Sequence, residues 1–330
     1  MARYQSKVVV ITGASAGVGR ATARAFARRG ARLALIARGE RGLAGAAHDA
    51  ADCGATALTI AADVSDHAAV EAAAERIERE LGPIDVWVNN AMVSEYAAIG
   101  QMTPEEFKHI VDVTLLGQVY GTMSALARMR PRDRGAIVHV GSALAHRSIP
   151  LQSAYCAAKH GLYGFVESVR TELIHGRSNV RVSIVSLPGV NTPQFDWTRN
   201  KTGREVRPVG PIYQPEVAAE AIVFASEHDR KEVLVGWPTV ESVVAERLDS
   251  SLLDRYIADT AWDGALAGPE APDHEDNFWA PVDRDHGAHG RFDAEARSHS
   301  WQLWTNLHRR LVASLAIAVG SALAAYKMSR

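Results

Sequence analysis

The chain has 330 residues, 47% of them hydrophobic and 22% charged, with 26 Gly, 13 Pro and 2 Cys. These proportions exclude a disordered chain, a collagen-like repeat and a disulfide scaffold. A formal charge of −2 leaves no electrostatic footprint for nucleic acid, and the two distant cysteines, Cys53 and Cys156, supply neither a staple framework nor a CxxC metal knuckle.

The apolar core at Val8-Val9-Val10-Ile11 is shorter than a signal-peptide h-region, so no export signal and a reducing, cytoplasmic compartment are expected. Short β-branched runs at 8–12, 32–37, 57–63, 84–89, 136–141, 180–186 and 232–236 predict seven strands. Ala-rich stretches of helical period lie between them, which predicts an α/β fold: a doubly wound parallel sheet with helices on both faces. A helix over 18–29 is stopped by Gly30, and one over 105–129 starts at Thr103-Pro104, with Glu106 completing a capping box. Another is predicted over 153–174. Segment 190–213 has Gly and Pro punctuation but no period, and is read as a substrate lid.

At about 238 the composition changes, dividing the chain into 1–237, an extension over 238–297 and a tail over 298–330. The extension predicts one helix over 241–257 and then, over 264–295, an irregular arm in which acidic residues outnumber Arg284 and Arg291. The tail has no acidic residue, and its run 311–326 is apolar and flanked by Arg309-Arg310 and Lys327. A bilayer span wants about 20 apolar residues and a buried helix about 10–14, so this run falls between the two. Burial against a partner subunit and shallow attachment of 307–327 to an anionic membrane surface both remain open.

Directly after the first strand comes Thr12-Gly13-Ala14-Ser15-Ala16-Gly17-Val18-Gly19, and helical period follows at once. A tight turn, close approach of a pyrophosphate and packing of a helix on a strand all call for glycine, while the helix N-terminus offers free N–H groups. Gly13, Ser15, Ala16, Gly17, Val18 and Gly19 are therefore the candidate phosphate cradle. At the end of the second strand, where an acid would bind the ribose 2′-hydroxyl of NAD, stand Ala37 and Arg38. The guanidinium fork of Arg38 suits the 2′-phosphate of NADP, with Arg20 adding to the field, so NADP(H) is the expected coenzyme.

This glycine spacing resembles the short-chain dehydrogenase/reductase family in its classical branch, and the resemblance runs over about 5–240. It implies a Rossmann-like fold. Asp63-Val64 closes the third strand as the family does to hold adenine, and Asn89-Asn90-Ala91 closes the fourth, with Met92 where the family usually has glycine. Ser142 and Tyr155-Cys156-Ala157-Ala158-Lys159 resemble the catalytic serine and Tyr-x-x-x-Lys. Four apart on a helix, Tyr155 and Lys159 leave one face and converge on one pocket, where an ammonium would lower the pKa of the phenol. Tyr155 is then expected to exchange a proton with the carbonyl oxygen while Ser142 hydrogen-bonds it. The resemblance further implies that Lys159 holds the nicotinamide ribose. Pro188, Gly189, Val190 and Thr192 resemble the turn under the carboxamide. Thr114 stands where the family usually has an asparagine whose main-chain carbonyl joins the lysine to solvent through water; Thr114 is expected to keep that relay.

The activity implied is NADP(H)-dependent hydride transfer between a ketone or aldehyde and its alcohol. Phe195 and Trp197 in the lid suggest a hydrophobic substrate. A homodimer or homotetramer joined through the two long helices is implied as well. The rival reading, motivated by Met92 and Thr114, is a dinucleotide-binding sensor or membrane-associated scaffold without turnover. Asp283, Asp285, His286 and His289 could be drawn around a metal, but nothing in their spacing fixes a geometry, and no metal is expected. Cys156 is read as packing.

Overall fold

The computed structural model describes residues 4–314 apart from 249, 269, 272, 273, 310 and 313. Its centre is a seven-stranded parallel sheet. The strands are β1 (Val8–Thr12), β2 (Arg32–Ala37), β3 (Ala57–Ala61), β4 (Ile84–Asn89), β5 (Ala136–Ser142), β6 (Arg181–Leu187) and β7 (Glu232–Leu234), in spatial order β3-β2-β1-β4-β5-β6-β7. Every residue of β1 and β5 is buried, as expected where helices cover both faces and the strands read as continuous apolar runs.

The first helices are α1 (Gly17–Ala27), α2 (Glu40–Asp52) and α3 (His67–Leu81). The capping box at Thr103 and Glu106 forms as the sequence suggests and starts α4 (Pro104–Val111). The single long helix expected here is interrupted by a π turn at Asp112–Leu116 before α5 (Gly117–Met129). Next come α6 (Ser153–His175), the one-turn α7 (Gln194–Trp197) and α8 (Pro215–Glu227). One core packs α1, α2 and α8 against the sheet through Phe26, Leu43 and Ile222; the other packs α3 to α6 through Ile77, Ile110 and Leu162.

The stretch 241–257, expected to be helical, lies in α9 (Trp237–Leu248) and α10 (Ser250–Gly264), which flank residue 249, outside the described residues. The chain turns at Gly236, with φ +77°, and Pro238 sits in the first turn of α9, where its missing N–H leaves no helical bond unmade.

The arm beyond α10 is irregular but folded onto the rest. Leu266–Ala267 pairs antiparallel with Glu205–Val206 of the lid segment, and Phe278 is fully buried in the α3 to α6 core. The helix α11 (Trp301–Leu307), capped by Ser300, returns Leu303 to the core on the α8 side. Of the apolar run 311–326, only residues 311, 312 and 314 fall within the described part of the chain.

Candidate active site

Strand order reverses at β1, whose neighbours are β2 and β4, and the loops leaving β1 and β4 in opposite directions open a crevice at that point. A cavity of about 720 Å³ fills it, lined at one end by Gly13, Ser15, Ala16, Gly17 and Val18. Gly13 and Gly17 adopt φ of +64° and +56°, and a Cβ on Gly13 would lie 2.8 Å from the Cα of Ala91. The cradle therefore has the bare backbone that a pyrophosphate requires at the start of α1, where the Gly17 N–H is taken by the Gly287 carbonyl at 3.1 Å. Gly19 stands behind the wall instead. Its missing side chain lets α1 close onto the Gly13 carbonyl, a packing role rather than the direct contact expected of it.

Asn90 joins this turn to β4: its amide nitrogen donates to the Thr12 and Gly13 carbonyls at 3.0 and 3.1 Å, while the Thr12 hydroxyl accepts from the N–H groups of Asn90 and Ala91. Asp63, Val64, Ala91, Pro188, Gly189, Val190 and Thr192 all border the same cavity.

Arg38 borders it too, but its guanidinium is already engaged. It donates to the carbonyls of Asn277, Phe278 and Trp279 in the C-terminal arm and lies 4.0 Å from Asp63. The fork that the sequence assigns to a phosphate is thus filled by main-chain oxygens. Arg20 is likewise committed, held between Asp49 and Asp285.

Ser142 ends β5, and Tyr155 and Lys159 leave one face of α6 into the cavity. Tyr155 and Ser142 line the cavity together, and Ser142 Oγ accepts from the Leu144 N–H at 3.1 Å. Lys159 is 2% exposed; its Nζ donates to the Val140 carbonyl at 2.7 Å and lies 5.5 Å from the Tyr155 ring centre. The expected lowering of the phenol pKa is absent. Burial pushes Tyr155 above its ordinary value, outweighing the opposing influence of the Ser142 hydroxyl, and burial also lowers Lys159 from 10.5 to about 7. Desolvation disfavours both charges, so burial opposes the phenolate and weakens the ammonium that was expected to favour it.

Thr114 lies within the π turn and does not border the cavity. Its hydroxyl donates to the Val93 carbonyl at 2.8 Å and accepts from the Val93 N–H at 3.1 Å, which pins the loop containing Met92. Its carbonyl meets the side chain of Gln118, whose Nε2 lies 3.4 Å from both Thr114 O and Val140 O. Gln118 thereby connects the π turn to the carbonyl that holds Lys159, and its Oε1 is bonded to His139. Burial, with Lys159 beside it, lowers His139 to about 3 and keeps it neutral. Sequence reading missed Gln118; its position one turn after Thr114 was the available signal.

The far end of the cavity is apolar, lined by Leu144, Phe195, Trp197, Leu253, Tyr256 and Ile257 from the lid, α9–α10 and β5 loop. Asn191, also missed, is fully buried: it donates to Gln214 and Asp293 and accepts from the N–H of Phe292, tying the Pro-Gly turn to the arm. The residues once drawn around a metal are dispersed among other partners. Asp283 accepts from the Arg41 N–H, Asp285 pairs with Arg20, His286 packs edge-on against Trp197, and His289 bridges Glu216 and Asp293. Cys156 is buried, and burial raises its thiol.

The sheet order, the glycine cradle and the Ser-Tyr-Lys constellation define a nucleotide-dependent oxidoreductase site. The short chain dehydrogenase family matches residues 7–202, and the chain belongs to it. It is 32% identical over 320 residues to the uncharacterized oxidoreductase YxnA of Bacillus subtilis (strain 168), covering 96% of this chain and 89% of that protein, so this likeness includes the extension. Levodione reductase of Leifsonia aquatica is 35% identical over 233 residues, 69% of this chain and 83% of the reductase. Among solved structures, a metagenomic short-chain oxidoreductase in complex with NADP superposes with a TM-score of 0.60 at 29% identity, covering 70% of this chain and 97% of that one. The protein is accordingly an oxidoreductase whose family binds a nicotinamide dinucleotide.

Proposed function

We propose that this oxidoreductase uses NADPH to reduce the carbonyl group of hydrophobic ketones or aldehydes, and catalyses the reverse oxidation when alcohol and NADP⁺ prevail. The observation that carries the reading is the convergence of Ser142, Tyr155 and Lys159 at the floor of one largely apolar cleft. When bound, the nicotinamide supplies the hydride. Tyr155 gives its proton to the carbonyl oxygen, and the Ser142 hydroxyl hydrogen-bonds the same oxygen. Tyr155 carries its proton at neutral pH, as the acid for reduction must, while burial, by raising its pKa, also makes it a weaker donor. Lys159, with a pKa of about 7, exchanges protons with water at neutral pH and offers its remaining N–H groups to the ribose. Gly13, Ser15, Ala16, Gly17 and Val18 would hold the pyrophosphate, Asp63, Val64, Asn90 and Ala91 the adenosine, and Pro188, Gly189, Val190 and Thr192 the carboxamide.

The coenzyme half of the proposal rests on the lack of an acid at Ala37-Arg38 and on a bound relative that carries NADP. The non-catalytic reading loses its motive, because Thr114 and Val93 hold the unusual Met92 loop in place. A purified-protein screen for NADPH consumption over graded ketones and aldehydes tests the whole reading. Expected are turnover that Tyr155→Phe removes and an NADPH dissociation constant at least about tenfold below that of NADH. Equal affinities overturn the coenzyme choice; absence of turnover across the screen returns the sensor or scaffold.

Two further parts of the reading concern assembly and location. Met123 on α5 and Ile174 on α6 are exposed, which supports association of subunits through the long helices. Trp301 is 80% exposed on α11, directly before the basic, apolar tail, and supports attachment of 307–327 to an anionic membrane from the cytoplasm. Because Leu303 is a core residue, the informative truncation ends at His308. Recovery of full-length and truncated protein only in the soluble fraction ends the membrane reading.

A further inference from the structure

The outer wall of the cleft is built by the C-terminal arm: Asn277, Pro281, Val282, Arg284 and His286 line it. This strap lies on a surface made by missing side chains. Gly39, Gly42 and Gly45 stand three apart at the start of α2, so they share one face. A Cβ on Gly39 would meet Asp283 Oδ1 at 3.1 Å, one on Gly42 would meet the Arg284 carbonyl at 3.4 Å, and one on Gly45 would overlap Asp285. Further bonds fix the strap. The Arg41 N–H donates to Asp283 at 2.9 Å, Asp285 pairs with the buried Arg20, and the Gly17 N–H donates to the Gly287 carbonyl at 3.1 Å.

The backbone of Arg284 is thereby held against Gly42, close to Ser15, whose Cβ lies 2.8 Å from the same added atom. That is the gap between the glycine turn and the end of β2, where the adenosine ribose of a bound dinucleotide lies. Of the other cations nearby, two are committed and a third stands off the cleft. Arg38 is filled by three carbonyls, Arg20 is enclosed by two carboxylates, and Arg41 faces Asp283 at 3.9 Å without bordering the cleft. Arg147, which borders the substrate end, is paired with Glu246 and Asp254. Arg284 borders the cleft with its side chain 66% exposed, and its carboxylate neighbour, Glu275, is 3.9 Å away.

We propose that Arg284, carried by the C-terminal strap, binds the 2′-phosphate of the coenzyme and sets its choice, while Arg38 serves as the anchor that holds the strap down. This rests on the NADPH reading. It moves a specificity residue out of the sheet and into the extension. The Arg284 fork faces one exposed carboxylate, Glu275 at 3.9 Å, and makes no side-chain hydrogen bond among the described residues, whereas Arg38 would have to exchange three existing acceptors to bind a phosphate.

The test uses full-length protein and two probes without nicotinamide, 2′,5′-ADP and 5′-AMP, titrated by calorimetry. Their affinity ratio isolates the 2′-phosphate. The wild type is expected to prefer 2′,5′-ADP by at least about tenfold, Arg284→Gln to bring the ratio within about twofold with 5′-AMP affinity retained, and Arg284→Lys to restore part of it. Arg38→Gln is expected to weaken both probes together, by loosening the strap. A ratio unchanged in Arg284→Gln, or lost only in Arg38→Gln or Arg41→Gln, overturns the assignment while leaving the NADPH reading intact. A wild type without preference overturns that reading itself, before any variant is made.

Discussion

The floor of the cleft and its roof are built by opposite means. The floor is carried by regular elements: Ser142 at the end of β5, with Tyr155 and Lys159 one turn apart on α6, and its precision comes from burial on a rigid sheet. The roof, 277–293, has no period and is held by main-chain carbonyls, ion pairs and a glycine face. Local geometry suffices for the first; the second exists only once distant parts of the chain have met. Chemistry should therefore depend on single floor residues, and coenzyme traffic on the roof as a unit.

The largest expected effect breaks the floor alone. Tyr155→Phe removes the proton donor, and turnover should fall by about 10²–10⁴-fold, the usual range for a positioned general acid. Coenzyme affinity, measured by titration, should change by less than about threefold. If affinity collapsed with turnover, the phenol would be a structural support of the cleft rather than its acid.

The next effect breaks the roof alone. A side chain at Gly290 would run into the Thr192 carbonyl, so Gly290→Val should lift the strap at the nicotinamide end. The cost should be about 1–3 kcal/mol, as for overpacking elsewhere, and the coenzyme dissociation rate should rise at least about tenfold. Limited proteolysis should then cut within 277–297 while the sheet persists. Phe278 opposes this from the other end, since burial of a phenyl ring contributes about 1.5–3 kcal/mol. An unchanged dissociation rate would mean that coenzyme enters and leaves without moving the strap.

The contrast also explains what could be read in the sequence. All seven strands were legible because buried parallel strands are continuous apolar runs, and so was the Tyr-x-x-x-Lys pair, because four residues are one helical turn. Gln118 was not, since its partners, the carbonyls of Thr114 and Val140, come from a π turn and another strand. Arg38 was legible as a cation but not as an occupied one. Its acceptors lie in the arm, and residue type carries no record of tertiary partners. The strap left the faintest trace: Gly39, Gly42 and Gly45 signal only by having nothing on one face of α2.

The floor should also respond to pH in a direction that its burial sets. Lys159 is charged below its lowered value of about 7 and neutral above it. The charged amine stabilises the phenolate that develops as Tyr155 gives up its proton. For the free enzyme, kcat/KM for reduction should therefore decline as pH rises through about 7, by at most about tenfold per unit. A profile flat to pH 9 would mean that the amine holds the ribose equally well uncharged.

The smallest expected effect separates the two ends of the roof. Although burial works against its charge, hydrogen bonds to Glu216 and Asp293 raise His289 above 6.5, while Gln214, His289 and Asn191 hold Asp293 below 3.8. A raised base stabilises fully below its unfolded value and loses that contribution as pH rises through the folded one. A lowered acid contributes above its unfolded value and loses it as pH falls. The 289–293 end is thus held best between about 3.8 and 6.5 and should loosen towards alkaline pH. Amide exchange at 289–293, corrected for intrinsic rates, should quicken about two- to fivefold between pH 6 and 8, modest because these groups are partly solvated. His289→Gln should remove the dependence without altering exchange at 277–285, where Asp285 and the α2 face do the holding. If the whole strap loosened in step, its two ends would form one cooperative unit, and Gly290→Val should then free the Arg284 segment as well.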